Sequence, residues 1–285
     1  MIDFLHHPET QRIIESALAE DIGAGDFTSL STIPSGMEAK AHCLIKDEGV
    51  LAGVDLATAI AHTVDAKLQM DIRIQDGTPV TYGDIAFYIT GDPRSILQAE
   101  RIILNFMQRM SGIATMTRSV MDKLAGTQCK VLDTRKTTPL IRHMEKWAVQ
   151  IGGGVNHRFG LYDLVMIKDN HIDYAGSITA AVNSCKDYLA THSLDLKIEV
   201  ETRNLAEVQE ALDVGGVYRI MLDNMSLDEM RTAVDLIDGR AQTEASGGIT
   251  PDAVAEVATT GVNYISMGAL THSVKSLDIS LKAVE

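Results

Sequence analysis

The stretch that decides the fold runs from residue 196 to residue 222 and reads LKIEVETRNLAEVQEALDVGGVYRIML. Residues 196–200 form a β-rich run, residues 205–212 carry the apolar period of a helix, and residues 218–222 form a second β-rich run. A strand, a helix and a strand joined by short connections predict a βαβ unit with two parallel strands.

The same rhythm extends in both directions from this unit. Further strands are predicted at 131–133, 164–167, 241–245 and 263–267. Helices are predicted at 175–189, 227–237 and 251–258. Six strands are too few for an eight-stranded barrel, so an open doubly wound sheet and a reduced barrel both fit the pattern.

The first part of the chain has a mixed pattern, which changes character near residue 112. Helices are predicted at 9–19 and 54–62, and strands at 39–46, 68–74 and 85–90. A long apolar-periodic segment follows from 96 to about 124, with a break or kink expected at Ser111-Gly112. The change of pattern predicts a first domain at 1–111 and a second that begins at 112.

Composition excludes several classes of protein. The 285 residues include 25 Lys+Arg and 39 Asp+Glu, a net charge of −14, which argues against a protein that binds nucleic acid or an anionic membrane surface. The three cysteines are widely spaced, which predicts neither a disulfide framework nor a structural zinc site and favours a reducing cytoplasm. The first residues do not resemble a signal peptide, and no apolar run is long enough to cross a bilayer.

Chemically distinct residues follow the predicted strands, where α/β proteins place their sites. Cations and a histidine come first, carboxylates next, and glycine-bearing turns last. The residues in question are Thr134, Arg135, Lys136, His157, Arg158, Lys168, Glu201, Asp223, Ser246, Gly247, Gly248 and Gly268. Arginine and lysine bind carboxylates and phosphates, carboxylates bind hydroxyls or Mg²⁺, and glycine turns expose backbone amides to a phosphate.

Each of these residues has an ordinary structural explanation when taken alone. Glu199 and Glu201 lie on the same side of their strand, where an outward-facing pair is the usual case. His157 taken alone is typical of a hydrogen-bonded structural histidine. Their joint placement at the ends of consecutive strands favours one shared site for a multiply charged anion.

These motifs resemble the quinolinate phosphoribosyltransferase family. The resemblance extends from Glu20-Asp21-Ile22-Gly23 to Ser266-Met267-Gly268 and is most specific at 133–139 and 156–171. It implies an N-terminal α/β sandwich domain and a C-terminal open, six-stranded α/β barrel at 112–270, with a final segment, 271–285, that packs back on the first domain. Two departures are present: Leu140 stands where the family commonly has glycine after Pro139, and 214–219 is one residue longer than usual.

The resemblance also implies roles for individual residues. Thr134, Arg135, His157, Arg158 and Lys168 would bind quinolinate, Lys136 would face the pyrophosphate, and Glu201 and Asp223 would meet the ribose hydroxyls and Mg²⁺, itself held mainly through substrate phosphates. The 5-phosphate would be bound by Ser246, Gly247, Gly248, Gly268 and His272. Arg101 would enter the site of the partner in a homodimer.

The implied reaction is phosphoribosyl transfer from phosphoribosyl pyrophosphate to quinolinate, with decarboxylation to nicotinate mononucleotide in NAD biosynthesis. An aldolase that forms a Schiff base at Lys168 is one alternative. A non-catalytic binding or transport-associated protein on the same scaffold is another. The number of cations favours the transferase with its dicarboxylate substrate over both alternatives.

Overall fold

The computed structural model describes residues 3–284, which divide into two compact units. Unit 1 comprises the described residues within Met1–Arg118, Lys136–Gly153 and Leu270–Glu285, and unit 2 comprises Ser119–Arg135 and Gly154–Ala269. The domain limits expected from the sequence, 1–111 with 271–285 and 112–270, stay a prediction; in the structure, residues 136–153 group with unit 1. Across 3–284, no helix has the length and apolar character needed to cross a bilayer.

Helices and strands alternate through most of the chain. The helices are α1 Pro8–Ile22, α2 Phe27–Thr32, α3 Val54–Val64, α4 Pro93–Lys123, α5 Arg142–Ile151, α6 Asp169–Ala175, α7 Ile178–Thr191, α8 Leu205–Val214, α9 Leu227–Ile237, α10 Val254–Ala258 and α11 Ala269–His272. The strands are β1 Ala39–Ile45, β2 Gly49–Val50, β3 Gln69–Ile72, β4 Pro79–Val80, β5 Ile85–Gly91, β6 Lys130–Leu132, β7 Val165–Ile167, β8 Ile198–Thr202, β9 Arg219–Asp223, β10 Gln242–Ser246, β11 Tyr264–Ser266 and β12 Ile279–Ala283.

Unit 1 is built on an antiparallel four-stranded sheet in the order β12-β1-β5-β3. Ala41, Cys43 and Ile45 alternate along β1 and are buried, so one face of the sheet belongs to the core. The last strand, β12, pairs along β1 from Ile45–Ile279 to Ala41–Ala283. The end of the chain is therefore part of the same sheet as its first strand.

The long helix α4 continues through Ser111 and Gly112, so of the break or kink predicted there, the break is wrong. Ser111 Oγ accepts a hydrogen bond from the Ala52 amide at 2.9 Å and donates to the Ala52 carbonyl at 3.2 Å. A Cβ at Gly112 would lie 2.3 Å from the Lys275 carbonyl oxygen. Glycine is needed at this position because two backbones approach closely, and it does not end the helix.

Unit 2 contains a parallel six-stranded sheet in the order β6-β11-β10-β9-β8-β7. Strands β7 to β11 follow one another in chain order, and β6 adjoins β11, which places every consecutive pair side by side except β6 and β7. A ring of strands interrupted at one place is an open barrel, whereas a doubly wound sheet reverses its strand order in the middle. The strand order therefore distinguishes the reduced barrel from the doubly wound alternative and confirms the predicted fold class.

The free edge of β6 is occupied by a single residue from the following connection. Val155 donates from its amide to the Val131 carbonyl at 2.9 Å, and its own carbonyl accepts from the Asp133 amide at 3.2 Å. This short parallel bridge satisfies backbone groups that an edge strand would leave to solvent. It also fixes where the chain emerges after Val155, next to the carboxyl end of β6.

Leu140 has a left-handed backbone, with φ at 69°, and its side chain is exposed. This is the position where the sequence departs from the family's glycine. A left-handed backbone raises the free energy of a non-glycine residue by about 1–2 kcal/mol, and glycine adopts it without this cost. The departure therefore keeps the turn but stores local strain.

We predict that Leu140→Gly leaves the free energy of unfolding unchanged or raises it by about 1 kcal/mol, because strain relief offsets the greater entropy of an unfolded glycine. Leu161→Gly is the matched control: an exposed loop leucine that is not among the positive-φ residues. It should lose about 1 kcal/mol. Urea unfolding measures both variants, and an equal loss in the two would contradict the strain argument.

Candidate active site

The strands of the barrel have two faces of opposite character. On one face lie apolar residues that are at most 4% exposed: Ile198, Val200, Ile220, Leu222, Ala245 and Ile265. On the other face, in-register pairing places Glu199 beside Arg219, and Glu201 beside Met221, which in turn adjoins Glu244. Because side chains alternate along a strand, one set of residues packs with apolar neighbours while the other brings charges into the barrel.

Four of the charged groups form a buried ion cluster, which we define as His157, Glu199, Arg219 and Glu244. His157 Nε2 lies 3.2 Å from Glu199 Oε2 and 3.4 Å from Glu244 Oε2. Arg219 Nη1 lies 2.9 Å from Glu244 Oε2 and 3.5 Å from Glu199 Oε2. Both carboxylates are fully buried. The expectation that Glu199 belongs to an outward-facing pair is therefore wrong.

The charges of this cluster are set by mutual compensation. Burial alone would lower the pKa of His157, but its hydrogen bonds to Glu199 and Glu244 raise that pKa to about 9. The Arg158 amide, 2.6 Å from Nδ1, opposes a proton there; the two carboxylates outweigh it because they carry full charges. Burial raises the pKa of Glu199, and the charge of Glu244 adds to the effect.

The pKa of Glu244 is shifted in the opposite direction to that of Glu199. Burial alone would raise its pKa, but the hydrogen bond and charge of His157, together with Arg219, hold that pKa below its ordinary value. His157 and Arg219 therefore face both carboxylates of the cluster. His157, Glu199 and Glu244 also have the ligand types of a metal site, with ligand atoms within 4.8 Å of one another. The guanidinium of Arg219 already supplies a positive charge at these oxygens, so we interpret the set as an ion cluster.

The loop after β6 and the segment that carries His157 are joined by Asp133. This buried carboxylate follows β6 directly, and its oxygens accept hydrogen bonds from Asn156 Nδ2 at 2.6 Å and from the His157 amide at 2.8 Å. Thr134 and Arg135 come next in the chain. Asp133 therefore brings the cationic residues of two sequence motifs to one place, although sequence reasoning gave it no role.

The cations of this region lie close enough to influence one another. Arg158 is half-buried and donates from Nη1 to the Leu164 carbonyl at 3.3 Å. Burial lowers the pKa of Arg158, and the positive charge of the exposed Arg135 lowers it further. Two guanidiniums that repel each other in this way form a site suited to a multiply charged anion.

The turn at 159–163 is held by one carboxylate. Asp163 accepts hydrogen bonds from the amides of Phe159 at 2.6 Å and Gly160 at 2.8 Å. A Cβ at Gly160 would lie 2.4 Å from the Tyr162 ring, so the ring covers the glycine. The motif residues Gly160 and Asp163 therefore shape the turn that follows Arg158.

Lys168 lies between β7 and α6 and faces a carboxylate from the neighbouring strand. Its Nζ lies 2.9 Å from Glu201 Oε2, and its side chain is 44% exposed while that of Glu201 is 9% exposed. The Lys168 amide donates to His171 Nδ1 at 3.0 Å, which helps to begin α6. His171 thus fixes the backbone from which Lys168 reaches Glu201.

The next strand ends carry Asp223 and the glycine turn. Asp223 pairs in register with Ser246, and the Asn224 amide donates to the Ser246 carbonyl at 2.9 Å. Gly247 has φ at +99°, and a Cβ there would lie 2.2 Å from Asn224 Oδ1. Glycine is required at this position because the ends of β9 and β10 approach each other so closely.

The structure thus gathers most of the predicted site residues at the carboxyl ends of one sheet, which we call the rim of unit 2. The rim carries Thr134, Arg135, His157, Arg158, Lys168, Glu201, Asp223, Ser246, Gly247, Gly248 and Gly268. The remaining three, Arg101, Lys136 and His272, belong to unit 1. The individual roles of all of these residues stay predictions.

The residues that sequence reasoning missed share one signal. Glu199, Arg219 and Glu244 occupy alternate positions of strands whose other positions are apolar or small, as in IEVET, RIMLD and QTEAS. Such alternation was compatible with a solvated face. Only the closure of the barrel makes that face an interior, where opposite charges must pair.

We predict that Glu199→Gln lowers the pKa of His157 by at least about one unit, because one of two compensating carboxylates is lost. The His157 pKa of about 9 exceeds the ordinary value of about 6.5, so this group's stabilisation is complete below pH 6.5 and is lost as the pH rises through 9. The loss is roughly 3 kcal/mol in the native protein and smaller in the variant.

NMR titration of His157 and unfolding at pH 6.5 and 9.5 measure the two effects. Glu9→Gln is the control, because Glu9 pairs with Arg12 on the surface. An unchanged His157 pKa in Glu199→Gln would show that Glu199 does not stabilise the imidazolium.

Comparisons with known proteins agree with the motifs and the fold. The family model for the quinolinate phosphoribosyl transferase C-terminal domain matches residues 113–282, and that for the N-terminal domain matches residues 26–111. Quinolinate phosphoribosyltransferase [decarboxylating] 1 of Nicotiana glauca is 50% identical over 97% of this chain and 83% of its own length. A probable nicotinate-nucleotide pyrophosphorylase [carboxylating] of Bacillus subtilis is 42% identical over 97% of this chain and 94% of its own.

Solved structures show the same correspondence. NadC from Streptococcus pyogenes superimposes with a TM-score of 0.91 at 39% identity, covering 97% of this chain and 98% of that one. The nicotinate-nucleotide pyrophosphorylase from Francisella tularensis gives 0.91 at 36% identity, with both chains fully covered. The family prediction made from the motifs is confirmed: this chain belongs to the quinolinate phosphoribosyl transferase family.

Proposed function

We propose that this chain transfers the phosphoribosyl group of phosphoribosyl pyrophosphate to quinolinate and decarboxylates the product to nicotinate mononucleotide. The observation that carries the proposal is the group of cations on the rim, where Arg135 lowers the pKa of the half-buried Arg158 and Lys168 follows the next strand. Repelling cations in one place are stabilised by an anion with more than one negative charge. Quinolinate, with two adjacent carboxylates, has that character.

The acid-binding residues of the proposal are Thr134, Arg135, His157, Arg158 and Lys168, joined by Arg101 of a partner subunit. Buried His157 is bound to Glu199 and Glu244 through Nε2. The Arg158 guanidinium donates to the Leu164 carbonyl, which holds its side chain in place. Nicotinate has a single carboxylate and would leave part of this charge uncompensated, which favours the dicarboxylate.

The phosphoribosyl group would lie along the later strand ends. Glu201 and Asp223 face the ribose hydroxyls, and the turn at Ser246, Gly247 and Gly248, with Gly268 and His272, binds the 5-phosphate. Lys136 faces the pyrophosphate. Glycine turns with left-handed backbones, at φ +99° for Gly247 and +59° for Gly248, present amides that can donate to phosphate oxygens.

The carboxylates also fit Mg²⁺, because oxygen atoms are its preferred ligands. Glu201 Oε2 is bound to Lys168 Nζ at 2.9 Å and Asp223 Oδ2 to Asn224 Nδ2 at 2.7 Å, and these two carboxylates are the protein groups that would hold the metal. With so few protein oxygens, the ion would be held mainly through the substrate's phosphates. When bound, it would neutralise charge that develops on the departing pyrophosphate.

In this reaction the protein orients the substrates and stabilises the charges that develop, and the substrate itself supplies the nucleophile. The ring nitrogen of quinolinate forms a bond to the anomeric carbon as the bond to pyrophosphate breaks, and Glu201 or Asp223 stabilises the positive charge on the ribosyl carbon. The 2-carboxylate then leaves as CO₂, its electron pair is stabilised by the pyridinium nitrogen, and the carbon takes up a proton. The rim cations hold the acid in place throughout.

The aldolase alternative is not favoured by the contacts of Lys168. An ammonium bound to Glu201 at 2.9 Å is not the free amine that a Schiff base requires. A non-catalytic role on the same scaffold would not need the carboxylates of Glu201 and Asp223 beside the cations.

We further propose a cytoplasmic homodimer, with the option of larger assemblies, that binds neither nucleic acid nor membranes. Curated relatives include chloroplastic and mitochondrial proteins, so location is a separate proposal.

We predict that the purified protein, given quinolinate, phosphoribosyl pyrophosphate and Mg²⁺, forms nicotinate mononucleotide, pyrophosphate and CO₂ in equal amounts. Arg158→Ala should lower kcat/KM for quinolinate at least about 100-fold, because it removes a charge-assisted bond to a carboxylate. Arg231→Ala, which removes an exposed arginine paired with Asp228, is the control and should retain activity. Absence of both products in the native protein would overturn the proposal.

The dimer proposal predicts complementation between inactive variants. Arg101→Ala and Arg135→Ala should each be inactive, but mixing and reassorting them should restore roughly a quarter of native activity, because half of the dimers are hybrids with one intact site of two. Mixing Arg135→Ala with Arg158→Ala is the control, since both residues belong to unit 2 and no site is restored. Verified hybrids without activity would contradict sharing of Arg101.

A further inference from the structure

A second buried carboxylate network lies in unit 1. Glu145, on α5, is fully buried. Its Oε1 accepts hydrogen bonds from Arg109 Nη2 at 2.8 Å, Arg109 Nε at 3.1 Å and Thr138 Oγ1 at 2.8 Å, and its Oε2 accepts from the Thr138 amide at 3.0 Å. The carboxylate is thus saturated by one guanidinium and by the main chain and side chain of one threonine.

Arg109 extends the network to the last segment of the chain. Its guanidinium also donates to the Thr271 carbonyl and, at 3.5 Å, to the Val274 carbonyl. The Thr271 hydroxyl in turn donates to the Lys136 carbonyl at 2.7 Å. We define Arg109, Thr138, Glu145 and Thr271 as the clamp.

The clamp binds the backbone at one functional residue and just after it. Thr271 binds the carbonyl of Lys136 itself, and Glu145 binds the amide of Thr138, two residues later. Through its Thr271 contact, Arg109 also fixes the residue immediately before His272. Three segments that are distant in sequence therefore converge on the chain that carries Lys136.

Stability alone is a weak reason for such a network. A buried ion pair costs desolvation that its attraction often only offsets, and apolar side chains of similar volume can replace it without loss. Hydrogen bonds to specific backbone atoms, in contrast, fix a geometry that apolar packing does not. Lys136 has a long, flexible side chain, so the place of its backbone determines where its ammonium can reach.

We infer that Glu145 and Arg109 are positioning residues, which act through Thr138 and Thr271 to fix the backbone of Lys136 for phosphoribosyl pyrophosphate. This inference rests on the proposed function, in which Lys136 faces the pyrophosphate. Fixing one charged group before the transition state removes the cost of ordering it during the reaction. The clamp should therefore affect the phosphoribosyl donor and leave binding of quinolinate almost unchanged.

Thr271→Val is the sharpest test, because it removes one hydroxyl and keeps the shape of the side chain. Thr117→Val is the matched control: Thr117 is also fully buried and donates to a backbone carbonyl, that of Ile113, at 2.8 Å. We expect Thr271→Val to lower kcat/KM for phosphoribosyl pyrophosphate about tenfold, with the KM for quinolinate changed less than about twofold. Thr117→Val should keep both values, and Thr271→Ser should recover most of the loss.

A double-mutant cycle separates positioning from general damage. Glu145→Gln should lower kcat/KM for the donor in the native background but add little to Lys136→Ala, because the clamp acts through Lys136. Independent, multiplicative losses, or equal effects of Thr271→Val and Thr117→Val, would overturn the inference. If Glu145→Gln does not fold, the comparison of Thr271→Val with Thr117→Val still tests the inference.

Failure of the inference can be told apart from failure of the proposed function. If Lys136→Ala loses activity while Thr271→Val does not, the function stands and the clamp is only structural. If Lys136→Ala keeps native activity, the role proposed for Lys136 is wrong, and the inference that the clamp positions it is wrong too.

Discussion

The ion cluster of unit 2 is the interaction on which the rest of the barrel depends. Glu199, Arg219 and Glu244 come from three adjacent strands, and His157 comes from the connection between β6 and β7. Removing any one member would leave an uncompensated charge in a buried interior, which costs several kcal/mol. Because Arg158 follows His157 directly, the condition that the interior charges must balance also places a cation at the rim.

Much of the fold follows from local pattern. The βαβ rhythm predicts the six parallel strands, and the motifs at 133–139 and 156–171 identify the family. Residues such as Lys168 and Glu201 could be grouped from sequence alone, because strand ends of a parallel sheet meet at one edge. Their direct contact of 2.9 Å agrees with that grouping.

What the sequence could not predict depends on contacts between distant segments. Gly112 resembles a helix break until the backbone of Lys275 is seen against it. Glu199 resembles a solvated residue until the barrel closes around it, and Glu145 lies in an ordinary helical pattern until Arg109 and Thr138 meet it. In each case the side chain's local context is compatible with two environments, and only tertiary packing selects one.

The order of strands around the ring separates cations, carboxylates and glycine turns along the rim. Across the opening, β6 and β7 carry Arg135 and Lys168; next along the ring, β8 and β9 carry Glu201 and Asp223; and β10 and β11 end in the glycine turns. Lys168 is paired with Glu201, whereas Arg135 and Arg158, on the β6 side, lie close enough to repel each other. In the proposed function, a dicarboxylate would bind on that side, and a ribosyl group attached to a phosphate bound at β10 and β11 would extend back towards it. With the substrates bound in this way, the sheet order would bring the ring nitrogen and the anomeric carbon together, which is the arrangement that the proposed displacement between two anionic substrates requires.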